Sequence, residues 1–156
     1  MGAMITVDLQ VATKHATVPE QKTFERWVCA ALGAPDKNKE VSLRVVDESE
    51  SRALNRGYRQ QDTPTNVLSF TCEFPEGVDV PLLGDIVICA VVVEREAIEQ
   101  GKKSESHWAH MVVHGTLHLL GYDHINDDEA SEMEALETEI LVSLGYAAPY
   151  LQSTEI

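Results

Sequence analysis

The segment His114-Gly-Thr-Leu-His118-Leu-Leu-Gly121-Tyr-Asp-His124 leaves the chain few ways to fold around it. Residues four apart on an α-helix lie about 400° around its axis, so a helix here projects His114 and His118 from one face, roughly 6 Å apart, where both can grip one ion. A glycine three residues past the second histidine can take the left-handed conformation that ends a helix. The chain then turns back, and His124 can supply a third nitrogen. A lone histidine pair at this spacing reads as ordinary core, whereas a third histidine beyond a helix-ending glycine makes the set read as ligands. Three neutral imidazoles without a nearby cysteine suit Zn2+, with Ni2+ or copper as substitutes. Structural zinc normally takes four protein ligands, so a three-histidine site points to an open position where water becomes acidic enough to act as hydroxide near neutral pH.

Elsewhere the pattern predicts elements that can bury such a helix. Ile5–Val11 alternates apolar with polar residues as a half-buried strand does. After Pro19, Phe24, Trp27, Val28, Ala31 and Leu32 recur at helical spacing until Gly33 and Pro35. Val41–Val46 predicts a second strand with Val41, Leu43 and Val45 on one face. Asp47 and Glu50 have the spacing of a capping box for a short helix ending at Gly57, with Tyr58 and Arg59 directly after it. Val67–Phe70 and the apolar Leu82–Cys89 predict two more strands, and Phe74 to Pro81 a loop. Ala90–Gln100 reads as helix, Ser104 as the cap of the histidine helix, and Asn126 with Glu129 as a capping box for a last helix ended by Gly145. Ala130, Met133, Leu136, Ile140 and Leu144 give that helix a core stripe, and the acids between them read as a solvated face, not a metal cluster. The expected fold is α+β: one domain over 4–156, a small mixed four-stranded sheet, about five helices and a zincin-like metal helix. Met1–Ala3 reads as a cloning remnant ahead of Met4.

The 156 residues carry a formal charge of −14, and every lysine and arginine lies at or before Lys103. Such a surface repels polyanions overall, yet a local basic patch on the first half remains compatible with RNA binding. Cys29, Cys72 and Cys89 are odd in number, widely spaced and free of any C-x-x-C pattern, as expected of buried, reduced thiols in a cytoplasmic protein. No signal peptide is evident. No apolar run approaches the ~20 residues that cross a bilayer, so a soluble protein without a membrane partner is expected.

The spacing H-x3-H-x2-G-x2-H is also that of a group of zinc peptidases whose second motif residue is a glutamate serving as general base. Here that position is Gly115, and no Met-turn follows; Met133 fits a core position. Tyr58-Arg59, Asp62-Thr-Pro-Thr-Asn-Val-Leu-Ser-Phe70, Leu83-Gly-Asp-Ile86, the histidine segment and Asp127 to Ile140 together resemble the bacterial endoribonuclease YbeY family of rRNA maturation factors. That resemblance, which spans nearly the whole chain, implies a single-strand-specific, metal-dependent endoribonuclease. It implies action on the 3′ end of 16S rRNA, a part in ribosome quality control, and a small ribosomal subunit with its proteins as partner. It implies His114, His118 and His124 as metal ligands and Arg59 as a functional residue.

Zinc-bound water or hydroxide would attack the phosphodiester, and Arg59 would stabilise the growing charge, which makes Arg59 and His114 the expected catalytic residues. Arg44, Arg52 and Arg56 can form a basic patch or merely solvate a helix. The general base stays open among Asp85, Asp123 and His110. Asp85 reads equally as a partner orienting a ligand imidazole or as a structural acceptor, Asp123 as a turn residue, and His107 and His110 as satisfied helix histidines. Tyr58, Phe70, Phe74 and Tyr122 are the aromatics available for stacking on bases. The rival expectations are a zinc metallopeptidase-like hydrolase and a non-catalytic ribosome-binding assembly factor whose metal shapes a docking surface.

Overall fold

A computed structural model describes residues 4–14, 18–33, 37–72, 74–75, 77–78, 80–123 and 125–150. Two strands, β1 (Ile5–Ala12) and β2 (Lys39–Val46), are joined through the helix α1 (Gln21–Leu32) and pair in parallel, as a strand–helix–strand crossover requires. After α2 (Glu48–Arg59) come β3 (Val67–Thr71) and β4 (Leu82–Cys89). The latter lies parallel to β2 and antiparallel to β3, giving a mixed sheet of order β1-β2-β4-β3. Three helices complete the chain: α3 (Ala90–Glu99), α4 (Ser104–Leu119) and α5 (Asp127–Ser143). The expected α+β domain with a mixed four-stranded sheet and five helices is the observed one among the described residues.

Period-two alternation splits the core between the two faces of the sheet. Val41, Leu43, Val45, Ile86 and Ile88 join Phe24, Trp27 and Trp108 in the larger cluster under α1, α4 and α5. Val46, Leu68, Val87 and Cys89 turn the other way, toward Leu54 of α2 and Val91 and Val92 of α3. Burying residues on both faces explains why β4 reads as one apolar run. The register between β2 and β4 slips by one residue, from Glu40↔Leu82 to Val41↔Gly84, which bends β4 beside Gly84.

Several local expectations need correction. Asp47 occupies the N-cap of α2 but makes no cap bond. Its carboxylate accepts from the Thr13 hydroxyl instead. Glu50 receives Arg44 Nε and Nη2 at 2.6 and 3.0 Å, so both members of the supposed capping box are drawn away by tertiary partners. Nor does α2 end at Gly57. It runs on through Tyr58 and Arg59 to Gln60, which adopts the left-handed conformation (φ 59°). Ser51 and Asn55 hold the helix to the following loop through Thr65 and Thr63, and these contacts outweigh the ~1 kcal/mol that an internal glycine costs. Ser104 likewise starts α4 without capping it; its hydroxyl donates to Glu94 at 2.7 Å. All three cysteines are free of disulfides, but Cys29 is exposed and not buried as expected. No described helix is long and apolar enough to cross a membrane.

Candidate metal centre

Helix α4 lies buried across the sheet, and between His107 and Leu119 only His114 and His118 reach partly into solvent. Gly121 (φ 105°) ends it as expected: its N–H donates to the His118 carbonyl and that of Tyr122 to the Leu117 carbonyl, the paired bonds of a Schellman cap. The cap returns the Tyr122 carbonyl beneath the His118 ring, where it accepts from Nδ1 at 2.9 Å. A carbonyl can only accept, so His118 carries a proton on Nδ1 and turns Nε2 toward His114.

Glu137 of α5 fixes His114 in the same sense. Its Oε2 lies 2.5 Å from His114 Nδ1, and the carboxylate is fully buried. Burial alone would raise its pKa, but hydrogen bonds from His110 and His114 outweigh that and hold it at about 2. Ionised, Glu137 accepts, and His114 Nδ1 donates. The two Nε2 atoms then face each other at 3.1 Å with both lone pairs inward. Two lone pairs converging in this way form a donor set that one cation can share. Two nitrogens on a tetrahedral zinc are about 3.3 Å apart, so the donor set fits such an ion.

His110 Nε2 lies 3.0 Å from the other Glu137 oxygen, which also accepts from the Tyr150 hydroxyl. Burial lowers the His110 pKa, despite the raising effect of Glu137, and Nε2 donates to the carboxylate. His110, His114 and Glu137 form a group whose ligand atoms lie within 4.8 Å of one another and that could hold an ion. The 2.5 Å approach of His114 to Glu137 fits a shared proton better than an intervening metal. We therefore read Glu137 as the carboxylate behind the ligands, with His110 and Tyr150 as its own supports. The sequence reading missed it by assigning the acids of α5 to solvent. Yet Glu137 falls four residues after Met133 and three before Ile140, squarely on the buried stripe, and a carboxylate in a core register is the signal that was available.

The remaining expected residues are dispersed. His124 lies outside the described residues. His107 is buried and bonds Glu96 through Nε2 at 2.9 Å, but its buried Nδ1 has no hydrogen-bond partner among the described residues, so it is only half satisfied. His110 meets Glu137 and Tyr150 through Nε2, while its buried Nδ1 has no hydrogen-bond partner among the described residues. Asp85 has the parity of Val87 and Cys89, so it projects from the sheet face opposite α4, whereas its neighbour Ile86 faces Gly115. It therefore does not orient a ligand imidazole from that face. Asp123 is partly buried in the turn after Gly121, beside a cleft of about 280 Å³ that it lines with Leu120, Tyr122, Glu129 and Glu132.

Arg59 stands exposed on the last turn of α2. Arg26, Arg44, Arg52, Arg56 and Arg95 each lie within 4.0 Å of a carboxylate. Arg59 alone has no such partner among the described residues. Helices α2 and α4 cover opposite faces of the sheet, but their C-terminal turns reach the same end of the β3–β4 pair. Tyr58 packs its ring on Phe70 of β3, which pairs with Asp85, while Leu119 overlies Gly84 one residue away. Tyr58 of α2 and Leu119 of α4 therefore reach neighbouring positions of the β3–β4 pair from its two faces.

Gly115, where peptidases carry their glutamate, packs against the sheet. A Cβ there would lie 3.0 Å from Ile86 Cγ2, 3.1 Å from Ser69 Oγ and 3.3 Å from Val67 Cγ2, and the Ser69 hydroxyl donates to the Gly115 carbonyl. This close helix–sheet approach leaves no room for a longer side chain, so the peptidase expectation lacks its base in structure as well as in sequence.

A family model described as endoribonuclease YbeY matches residues 8–145. In three dimensions the chain is similar to the solution structure of TM1509 from Thermotoga maritima, with a TM-score of 0.54 and 26% identity over 96% of this chain and 100% of that one. With the match running from β1 to the end of α5 and taking in both facing histidines, the chain belongs to the endoribonuclease YbeY family, hydrolases that cut RNA internally and act in rRNA processing.

Proposed function

We propose that this protein is a zinc-dependent, single-strand-specific endoribonuclease of the cytoplasm that matures the 3′ end of 16S rRNA and serves ribosome quality control, working with the small ribosomal subunit and its proteins. The observation that carries the metal part is the pair of Nε2 atoms converging at 3.1 Å, each ring turned by a fixed acceptor on its Nδ1. His114 and His118 would hold the ion with His124 as third ligand, and Ni2+ would substitute for Zn2+ in such a nitrogen set. When bound, zinc supplies Lewis acidity toward a phosphodiester and water acidic enough to react at neutral pH.

The chain's own residues do the rest. Glu137 keeps the His114 proton on Nδ1, and the Tyr122 carbonyl does the same for His118, so both rings stay oriented without reorganising during the reaction. Arg59, charged and without a carboxylate partner among the described residues, is available to fork onto phosphoryl oxygens. His114 and Arg59 are thus the residues to which we assign catalysis. A single strand of RNA crossing the edge of the sheet at β3 would have to reach both groups in this reading.

The test is cleavage of single-stranded and duplex RNA by purified protein, by protein stripped with chelator, and by stripped protein restored with each metal in turn. Loss on stripping and recovery with zinc are expected. Arg59→Ala should retain bound metal but lose about 10²–10³ in cleavage rate, the cost of removing one charge-stabilising donor. Chelator-insensitive cleavage would overturn the metal reading, and full activity of a metal-replete Arg59→Ala protein would remove Arg59 from the mechanism.

A further inference from the structure

Tyr58 is 70% exposed, on the same final turn of α2 as Arg59. Its ring stands against Phe70 with centroids 4.9 Å apart and planes at 62°, an edge-to-face contact that fixes the ring while leaving most of it in water. Phe70 in turn is seated in the sheet, paired with Asp85 and packed on the small cluster of Leu68 and Val87. An exposed aromatic held by a second, anchored aromatic loses little further entropy when something stacks on it.

Neighbouring positions on a helix diverge by about 100°, so Tyr58 and Arg59 offer a flat apolar surface and a cation in different directions from one turn. A nucleotide presents the matching pair: a base with a π-face and a phosphate with a negative charge. We propose that Tyr58, propped by Phe70, is a base-stacking platform that seats one unpaired nucleobase of the RNA substrate on the α2 side of β3, while Arg59 takes the adjoining phosphate. This subsite rests on the ribonuclease reading above and adds to it a cause of single-strand preference. A base inside a duplex is already stacked on both faces and cannot reach the ring, whereas an unpaired base can.

The experiment measures equilibrium binding of a labelled 2′-O-methyl single-stranded oligonucleotide to metal-loaded protein, with its integrity checked on a gel. Tyr58→Ala should weaken binding roughly 5- to 150-fold, while Tyr58→Phe and Tyr58→Trp should bind within about twofold of the parent or more tightly. A series of oligonucleotides each lacking one base supplies the second readout. One abasic position should cost the parent the same factor, and that position should cost Tyr58→Ala nothing further. Because the ring is largely exposed, the alanine variant should fold, and an unchanged metal content and melting temperature would show it. Equal binding by Tyr58→Ala and parent, or equal sensitivity of both to every abasic position, overturns the platform while leaving the ribonuclease reading standing. Failure of the parent to bind any single strand overturns both.

Discussion

Replacing Glu137 by alanine separates a carboxylate that organises a metal centre from one that merely fills space. The side chain is fully buried and accepts from three donors, His114 Nδ1, His110 Nε2 and the Tyr150 hydroxyl. Each donor left without a partner in the interior costs about 1–3 kcal/mol, and removing one member of a buried charge-assisted set costs roughly 3–5 kcal/mol once a water has entered the space. Against the roughly 5–15 kcal/mol that stabilises a domain, Glu137→Ala should still fold but melt roughly 6–20 °C lower. The second effect is on the ion. Without Glu137 the His114 ring can rotate or move its proton to Nε2, and loss of such an outer partner costs about 10- to 100-fold in metal affinity. Glu137→Gln keeps the volume but offers one acceptor oxygen in place of two, so it should fall between parent and alanine in affinity. Zinc affinity by competition with a chromophoric chelator, and stability by urea titration of the metal-free protein, read the two effects separately. A Glu137→Ala protein that is destabilised yet binds zinc as tightly as the parent refutes the orienting role. A His110→Ala protein that loses zinc altogether would instead show that His110, His114 and Glu137 are the ligands.

Gly84→Ala should be far more damaging than an ordinary strand substitution, because its Cβ would lie 2.2 Å from the Phe70 carbonyl oxygen and 2.8 Å from Leu119 Cδ2. Backbone would have to move where β3, β4 and α4 meet, so a loss of about 2–4 kcal/mol in urea titration is expected; a variant within about 0.5 kcal/mol of the parent would contradict that packing. Glu96→Gln tests a second, partly buried carboxylate. Burial pushes the Glu96 pKa up, but hydrogen bonds from His107 and Asn66 outweigh it and leave the pKa below its ordinary value. A depressed carboxylate contributes stability that is present above its unfolded pKa and lost as pH falls through the folded one. The parent should therefore lose more stability than Glu96→Gln between pH 6 and acid pH, and parallel losses in the two proteins would refute it.

The regular elements were readable because one-face burial imposes a period on the residues themselves. The alternation of Val41, Leu43 and Val45 marks β2, and the spacing of Phe24, Trp27, Val28 and Ala31 marks α1. The histidine pair was equally readable, since one helix and its glycine cap set the whole geometry. Features decided by distant partners were not. The capping-box pattern of Asp47 and Glu50 is genuine as spacing, but Thr13 and Arg44, remote in the chain, compete for both side chains. Glu137 was misread because α5 alternates acids with apolar residues so densely that charge masked register; its partners lie 27 and 23 residues away on α4. Asp85 was legible as an interruption of β4 but not as to face, because a strand buried on both sides gives no hint of which way one polar residue turns.

Tyr150, beyond the end of α5, reaches back to the Glu137 oxygen shared with His110. The trailing stretch of polypeptide is thereby mechanically coupled to the imidazole that Glu137 steers. Trimming the protein before that tyrosine, or pulling the segment aside with a fusion partner, would disturb the centre from a distance that linear position does not suggest. Preparations differing only at their carboxyl terminus should accordingly be compared for metal loading before their activities are.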